Sequence, residues 1–308
     1  MTQTETKGET QMELSACIVV YNGAQEAIKA AQTVLDCTRR YPLTLYLVDN
    51  ASPDGSGKRL TAAAKDGTLR TAPGQTVQVL CRLENGGFGT GHNTVLSLLH
   101  SRVHFILNPD IQLTADTLSD LADWMAAHPG VVMTRPGLTF PDGRPQQLPL
   151  RRCNVRAMVY RQLPCLRFWA KYNDRYLMAD KDLTKPTEIE FCTGSFSAVD
   201  TAAFKAVGGF DEGYFMYVED ADLTQKMRTQ GKAYLVPQYT AIHAWHRAAH
   251  RSLKPFLWQL RSLLRCQNHV AVVGQHEHAF RVYPRNGGAD ILNALLPGLA
   301  ALNNLIHA

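Results

Sequence analysis

The chain has 308 residues, and 45% of them are hydrophobic, which is enough to bury a sizeable core. Its formal net charge of +5 comes from interspersed acidic and basic residues, without the basic stripe of a nucleic-acid-binding protein. The seven cysteines include no Cys-x-x-Cys pair, which argues against a disulfide framework and against a structural zinc site.

The N-terminal residues 1–12 are polar and charged, and we expect them to form a disordered tail. They lack the apolar segment of a secretory signal. No apolar run in the chain reaches the ~20 residues that span a bilayer. The sequence therefore predicts a cytoplasmic protein with reduced cysteines.

Four short apolar runs then alternate with helical patterns. The runs are Leu14–Tyr21, Leu43–Val48, Val77–Leu80 and His104–Leu107. This alternation predicts an α/β fold with a parallel sheet and right-handed crossovers. Gly or polar residues follow each run, so the carboxyl ends of the four strands should border one ligand-binding crevice.

The segment between residues 131 and 190 is harder to interpret. Val131–Arg135 resembles a strand, whereas residues 151–185 are rich in Arg, Tyr, Leu and Trp and show little periodicity. Two interpretations stay open for the second part. It is either a surface excursion that covers the sheet or a loop that faces an acceptor or a membrane.

The most informative stretch is Phe215–Leu223, where the carboxylates of Glu219, Asp220 and Asp222 fall within four positions. A strand-like aromatic run precedes them and a helical pattern follows, which predicts a strand-to-helix junction of the kind that carries chemistry in α/β sheets. The alternative is that Asp220 or Asp222 only caps the helix, with Glu219 as a first-turn charge.

Further elements surround this stretch. Phe191–Val199 is strand-like, Ala202–Val207 predicts a short helix, and Tyr234–Pro237 and Thr240–His243 predict two late strands. After residue 247, apolar residues at helical spacing are interleaved with Lys and Arg. Such helices either lie on a membrane surface or pack back onto the sheet.

Three motifs offer ligands for a nucleotide or a metal. Gly87–Gly91 follows the third strand and could cradle a phosphate, although it matches neither the dinucleotide fingerprint nor the P-loop. Asp110 and His243 supply oxygen and nitrogen donors, and with Asp49 they suit a metal-bridged nucleoside diphosphate. Taken singly, Asp110 is more often a turn residue and His243 more often a structural histidine.

Several motifs together resemble family 2 glycosyltransferases of the GT-A fold, most of all the bacterial rhamnosyltransferase branch. They are Val19–Asn22, Val48–Ser52, Asn85–Gly89, Asn108–Asp110, Thr193–Ser195, Gly208–Glu212, Phe215–Tyr217 and Glu219–Leu223. The resemblance implies a GT-A domain over residues 13–247, with a mostly parallel sheet flanked by helices. The helical spacing after residue 247 predicts a C-terminal helical extension over residues 248–308.

The resemblance also implies site residues. Asp220 is expected to be the general base, and Glu219 is expected to raise its basicity through like charge. Asp110 is the surviving carboxylate of the Asp-x-Asp metal motif, and together with His243 it is expected to bind Mg²⁺ or Mn²⁺. The residues expected to contact the nucleotide sugar are Tyr21, Asp49, Asn85, Gly87, Phe88, Gly91, Asn93 and Asn108.

The implied activity is an inverting transfer of a sugar to a saccharide or lipid-linked saccharide acceptor in cell-surface polysaccharide or lipopolysaccharide synthesis. The expected donor is dTDP-rhamnose, with UDP-sugars as the alternative. The protein is expected in the cytoplasm or peripherally on the inner membrane, with no nucleic-acid partner.

Other classes fit less well. A nucleotidyltransferase typically needs a basic residue in the loop after the first strand, where the chain has Tyr21–Ala24. A metal hydrolase is disfavoured because there is no H-E-x-x-H motif. A non-catalytic nucleotide-sugar-binding protein of the same fold stays open.

Overall fold

A computed structural model describes residues 12–152, 157, 160, 167–244 and 262. Its strands are β1 (Leu14–Val20), β2 (Leu43–Asp49), β3 (Gln75–Cys81), β4 (Val103–Leu107), β5 (Ile111–Gln112), β6 (Val131–Thr139), β7 (Thr187–Glu188), β8 (Phe196–Asp200) and β9 (Lys232–His243). Its α-helices are α1 (Ala24–Cys37), α2 (Ser56–Lys65), α3 (Phe88–Asn93), α4 (Thr117–Ala127), α5 (Ala170–Tyr176), α6 (Thr201–Ala206) and α7 (Glu219–Arg228). Short 3₁₀ turns lie at Leu96–Leu98 and Arg167–Trp169.

In this part of the chain, the strands form one sheet in the order β3-β2-β1-β4-β8-β6-β9-β5, and β7 pairs with β9. The first four strands are parallel, as the alternation of strand and helix predicts. β8 runs antiparallel to both β4 and β6, and β6 and β9 are parallel. The start of β8 therefore lies at the same edge as the ends of β4, β6 and β9, and this edge carries the candidate site.

The central strands β2, β1, β4 and β8 are buried on both faces. Alternate residues of β1 pack on opposite sides, with Leu14, Ala16 and Ile18 in one apolar cluster and Cys17 and Val19 in the other. Helices α1, α2 and α4 contribute to the first cluster, and α6 and α7 to the second. A strand that is buried on both faces has an almost continuous apolar sequence, which explains why β1 could be predicted from the sequence.

Three sequence-based expectations are wrong in detail. Residues 215–218 form a turn and not a strand, because Tyr217 and Val218 both adopt left-handed backbone angles, with φ of 70° and 71°. The strand expected over 191–199 begins only at Phe196. The two late strands are one continuous strand, β9, whose pairing with β6 shifts register beside Pro136 and Gly137.

The segment between β6 and β8 packs beside the turn that precedes α7. Ala157 and Phe191 share a small apolar cluster with Tyr214, Val218 and Ala221. This excursion therefore covers the start of α7.

Residues 1–11 and most of the predicted C-terminal extension lie outside the described residues. Ser262 is helical, and its hydroxyl donates to the carbonyl of Met216 over 3.0 Å. Within the described ranges, no helix is long and apolar enough to cross a membrane. The four cysteines described there, Cys17, Cys37, Cys81 and Cys192, are free thiols.

Candidate active site

The carboxylate of Asp220 is held at the first turn of α7 by two backbone amides. Gly194 N–H donates to Oδ2 and Ala221 N–H donates to Oδ1, each over 2.9 Å. The N-cap of the helix is Val218, with no side-chain cap, so the alternative that Asp220 or Asp222 only caps the helix is wrong. The site thus fixes a carboxylate beside a helix N-terminus, where negative charge is stabilised.

Asp220 and Glu219 are neighbouring carboxyls whose pKa values are both raised. Burial raises the pKa of Asp220, and its backbone hydrogen bonds oppose that rise. Burial, and then the charge of Asp220, raise the pKa of Glu219 from 4.5 to about 8. The expected effect of Glu219 on the basicity of Asp220 stays a prediction. With a pKa of about 8, Glu219 is largely protonated near neutral pH.

A second acidic position lies at the ends of β4 and β9. Asp110 Oδ1 is 3.4 Å from His243 Nε2, and their side chains are only 12% and 7% exposed. β5 pairs with the end of β9 so that Ile111 lies opposite His243, and Ala244 N–H donates to the carbonyl of Asp110. These main-chain contacts hold the backbones of Asp110 and His243 together, and both side chains are largely shielded from solvent.

This pair fits part of a divalent-cation shell. Cis ligands on an octahedral ion with bonds of ~2.1 Å lie about 3 Å apart, close to the separation of the two side chains. Among the described residues, no group of three or more His, Cys, Asp or Glu side chains could hold a metal. A cation bound by Asp110 and His243 would therefore need further oxygen ligands, such as diphosphate and water.

One loop joins the two acidic positions. Asn108 N–H donates to the carbonyl of Ser195 over 2.9 Å. Gly194, which precedes Ser195, donates its N–H to the Asp220 carboxylate. The loop before β8 therefore bonds Asn108, two residues before Asp110, on one side and Asp220 on the other. Its place follows from the antiparallel pairing of β8 with β4, in which Phe196 lies opposite Leu107.

The predicted nucleotide-binding residues at the ends of β2 and β3 lie together. Asn50 Nδ2 donates to Asn85 Oδ1 over 2.8 Å and to the carbonyl of Gly87 over 2.9 Å. Asp49 is buried beside them and accepts from Ser52 N–H over 3.3 Å. Within the described part of the chain, the Oδ1 atoms of Asp49 and Asn50 lack hydrogen-bond partners. Such buried acceptors are expected to gain a donor from a ligand or water.

Gly87 connects this region to the turn before α7. Its φ is 91°, and a Cβ at this position would overlap the carbonyl oxygen of Phe215. The next amide, of Phe88, donates to that same oxygen over 3.2 Å. The Phe88 ring also lies against Gly194, where an added Cβ would be 3.0 Å away. Only glycine permits this approach at residue 87.

The other predicted nucleotide contacts differ in their surroundings. Tyr21 is 52% exposed at the end of β1 and is accessible to a ligand. Gly91 packs on Val19, where a Cβ would lie 2.6 Å away. Asn93 bonds both backbone groups of Phe210 over 2.9 Å. Gly91 and Asn93 thus make packing and hydrogen-bond contacts within the protein. Their contact with a nucleotide stays a prediction.

Comparison with known proteins identifies the family. Residues 15–208 match the family model described as "Glycosyl transferase family 2". The chain belongs to glycosyl transferase family 2.

Proteins with sequences similar to this glycosyltransferase include rhamnosyltransferases. It is 28% identical over 232 residues to rhamnosyltransferase WbbL of Escherichia coli (strain K12), covering 71% of this chain and 85% of that protein. It is 26% identical over 274 residues to N-acetylglucosaminyl-diphospho-decaprenol L-rhamnosyltransferase of Mycobacterium tuberculosis (strain ATCC 25618 / H37Rv), covering 75% of this chain and 84% of that protein.

Solved structures agree on the GT-A fold. The mannosyltransferase PcManGT from Pyrobaculum calidifontis, in complex with GDP-Man and Mn²⁺, superposes with a TM-score of 0.54 at 16% identity, covering 95% of this chain and 80% of that one. S. aureus TarS 1-349 gives a TM-score of 0.57 at 14% identity, covering 87% and 67%. These likenesses concern the fold, which is the one expected from the sequence motifs.

Sequence reasoning did not assign roles to three residues of this glycosyltransferase. Asn50 adjoins Asp49 in a quoted motif, and Gly194 lies in another, so both were within reach of motif analysis. Gln146, which bonds His243, lies in an irregular segment without any motif. Only its position in space marks it.

Proposed function

We propose that this glycosyltransferase is an inverting enzyme that transfers rhamnose from dTDP-rhamnose to a saccharide acceptor in cell-surface polysaccharide synthesis. The observation that carries the proposal is the Gly194–Ser195 loop. It supports a candidate base on one side and a candidate diphosphate and metal site on the other. Inverting transfer requires such a pairing, because one group activates the acceptor while another stabilises the leaving group.

The proposed chemistry begins with Asp220. Its carboxylate accepts the proton of an acceptor hydroxyl while the oxygen attacks the anomeric carbon and the bond to the nucleoside diphosphate breaks. Burial raises the pKa of Asp220 and so strengthens it as a base, and the amides of Gly194 and Ala221 keep it oriented. A single displacement inverts the anomeric configuration and needs no second nucleophile.

The leaving group departs from the other side of the loop. Asp110 and His243 would hold Mn²⁺ or Mg²⁺, which when bound neutralises charge on the departing diphosphate. Asp49, Asn50, Asn85 and the Gly87 region would contact the nucleotide. The incomplete hydrogen bonding of Asp49 and Asn50 supports this assignment.

The relatives guide the choice of substrates. Both reported relatives are rhamnosyltransferases, and one is named for a diphospho-decaprenol acceptor that carries N-acetylglucosamine. We therefore propose a lipid-linked saccharide as acceptor, which would bring the protein to the inner-membrane surface. A UDP-sugar is the second donor candidate, since a structural neighbour, TarS 1-349, is solved in complex with UDP-GlcNAc.

The test compares wild type with Asp220→Asn on a lipid-linked N-acetylglucosaminyl diphosphate, offered dTDP-rhamnose or UDP-GlcNAc with Mn²⁺. We expect turnover with dTDP-rhamnose, a product of inverted configuration by NMR, and a loss of ~10²–10⁴-fold in kcat for the variant. The affinity for dTDP should be unchanged. A folded Asp220→Asn protein with full turnover would refute the base assignment, and turnover with UDP-GlcNAc alone would replace the donor.

A further inference from the structure

Gln146 binds both the main chain and the ring of His243. Its Nε2 donates to the carbonyl of His243 over 2.7 Å, and its Oε1 lies 2.9 Å from His243 Nδ1. The side chain is buried, at 7% exposure. Its backbone is also fixed, because Gln146 N–H donates to the carbonyl of Leu138 over 2.8 Å.

These contacts determine which way the amide faces. The carbonyls of His243 and Thr139 both lie near Nε2, at 2.7 and 3.4 Å, and a carbonyl accepts only from a donor. A reversed amide would direct its oxygen at both carbonyls and lose these bonds. Oε1 therefore faces the imidazole as an acceptor, and His243 Nδ1 must carry the proton.

A proton on Nδ1 leaves Nε2 of the neutral ring with a lone pair. Nε2 is the atom that faces Asp110 Oδ1, 3.4 Å away. An imidazole that ligates a metal through one nitrogen commonly donates the other N–H to an oxygen acceptor, which fixes its tautomer and orientation. The arrangement of Gln146, His243 and Asp110 has this form.

We propose that Gln146 is a positioning residue for the metal site, which sets the Nδ1–H tautomer of His243 and so prepares Nε2 to bind the cation beside Asp110. This inference rests on the metal assignment in the proposed function. It is independent of the donor sugar and of Asp220 as base.

A competing interpretation is an imidazolium–carboxylate ion pair, in which Nε2–H donates to Asp110. His243 Nε2 and Asp110 Oδ1 are 3.4 Å apart. A good charge-assisted hydrogen bond is shorter, at about 2.7–2.9 Å. In the ion pair Gln146 would orient the ring without deciding the state of Nε2. The two interpretations predict different NMR spectra for the metal-free protein.

The first experiment records two-bond ¹⁵N–¹H correlations of histidine-labelled, metal-free protein, with His243→Asn identifying the His243 signals. We expect the neutral Nδ1–H pattern in wild type, its loss or mixing in Gln146→Leu, and no change in Gln147→Leu. Gln147 is the exposed neighbour and provides a matched control. A neutral Nε2–H ring or an imidazolium in wild type would overturn the inference.

The second experiment measures Mn²⁺ affinity by electron paramagnetic resonance in the presence of dTDP, and again with UDP. Loss of such a supporting residue typically weakens metal binding ~10–100-fold. We expect that loss in Gln146→Leu and wild-type affinity in Gln147→Leu. dTDP affinity in EDTA should be equal in all three proteins.

The outcomes separate the two levels of the proposal. If Asp110→Asn abolishes Mn²⁺ binding but Gln146→Leu binds as wild type does, the role of Gln146 is refuted and the metal site stands. If wild type binds no Mn²⁺ with either nucleotide, the metal assignment falls and this inference falls with it.

Discussion

Glu219→Gln replaces a buried carboxyl by an amide of nearly the same shape. Glu219 is 6% exposed, and burial together with the charge of Asp220 raises its pKa from 4.5 to about 8. In the unfolded chain a glutamate ionises near its ordinary pKa. Between pH 4.5 and about 8 the folded protein therefore binds a proton that the unfolded chain has released.

The sign and size of the effect follow from this linkage. Because the folded state holds the additional proton, its free energy of unfolding decreases as pH rises through that window and levels off above about pH 8. At ~1.36 kcal/mol per pH unit, the full difference is at most roughly 5 kcal/mol, and water entering near the charge would reduce it. The amide side chain of the variant cannot ionise, so the variant should avoid this loss.

The assay is urea unfolding of wild type and Glu219→Gln from pH 5 to pH 9, followed by tryptophan fluorescence. We expect the variant to gain stability over wild type progressively above pH 5 and to exceed it by several kcal/mol at pH 9. Glu84→Gln is the control, because Glu84 is exposed. Parallel pH profiles for wild type and Glu219→Gln would refute the buried, protonated state of Glu219.

Three further predictions concern the scaffold and the metal. Gly87→Ala should reduce transferase turnover more than 10-fold by displacing the Phe215 carbonyl, whereas Gly67→Ala, which has a similar positive φ but open space around it, should only lower stability by ~1–2 kcal/mol. Asn93→Ala should lower the free energy of unfolding by ~1–3 kcal/mol, because the buried N–H and carbonyl of Phe210 would lose their partner, with dTDP affinity within a few-fold of wild type by calorimetry. A larger loss of affinity would support the predicted nucleotide contact of Asn93. Activity titrations should show half-activation at lower Mn²⁺ than Mg²⁺, because imidazole is a poor ligand for Mg²⁺.

The sequence alone determined the elements whose signal is local. The sequence predicted β1, β2 and β4 because strands buried on both faces are mostly apolar runs, and it predicted α1 because its buried alanines recur at helical spacing. The motifs at strand ends also indicated the family, and the family match agrees. Asp110 and His243 were named together from the sequence, and they lie together in the fold.

Tertiary structure alone decided how the site is assembled. The aromatic run before Glu219 has the composition of a strand, yet packing against Gly87 and the excursion between β6 and β8 holds it as a turn with two left-handed residues. The reversal of β8 brings Gly194 to Asp220, and no local pattern encodes that reversal. The protonation of Glu219 and the amide orientation of Gln146 likewise depend on burial and on neighbours distant in sequence. Residue types and their spacing specify which groups are present, whereas their charge, tautomer and direction are set by contacts that form only when the chain folds.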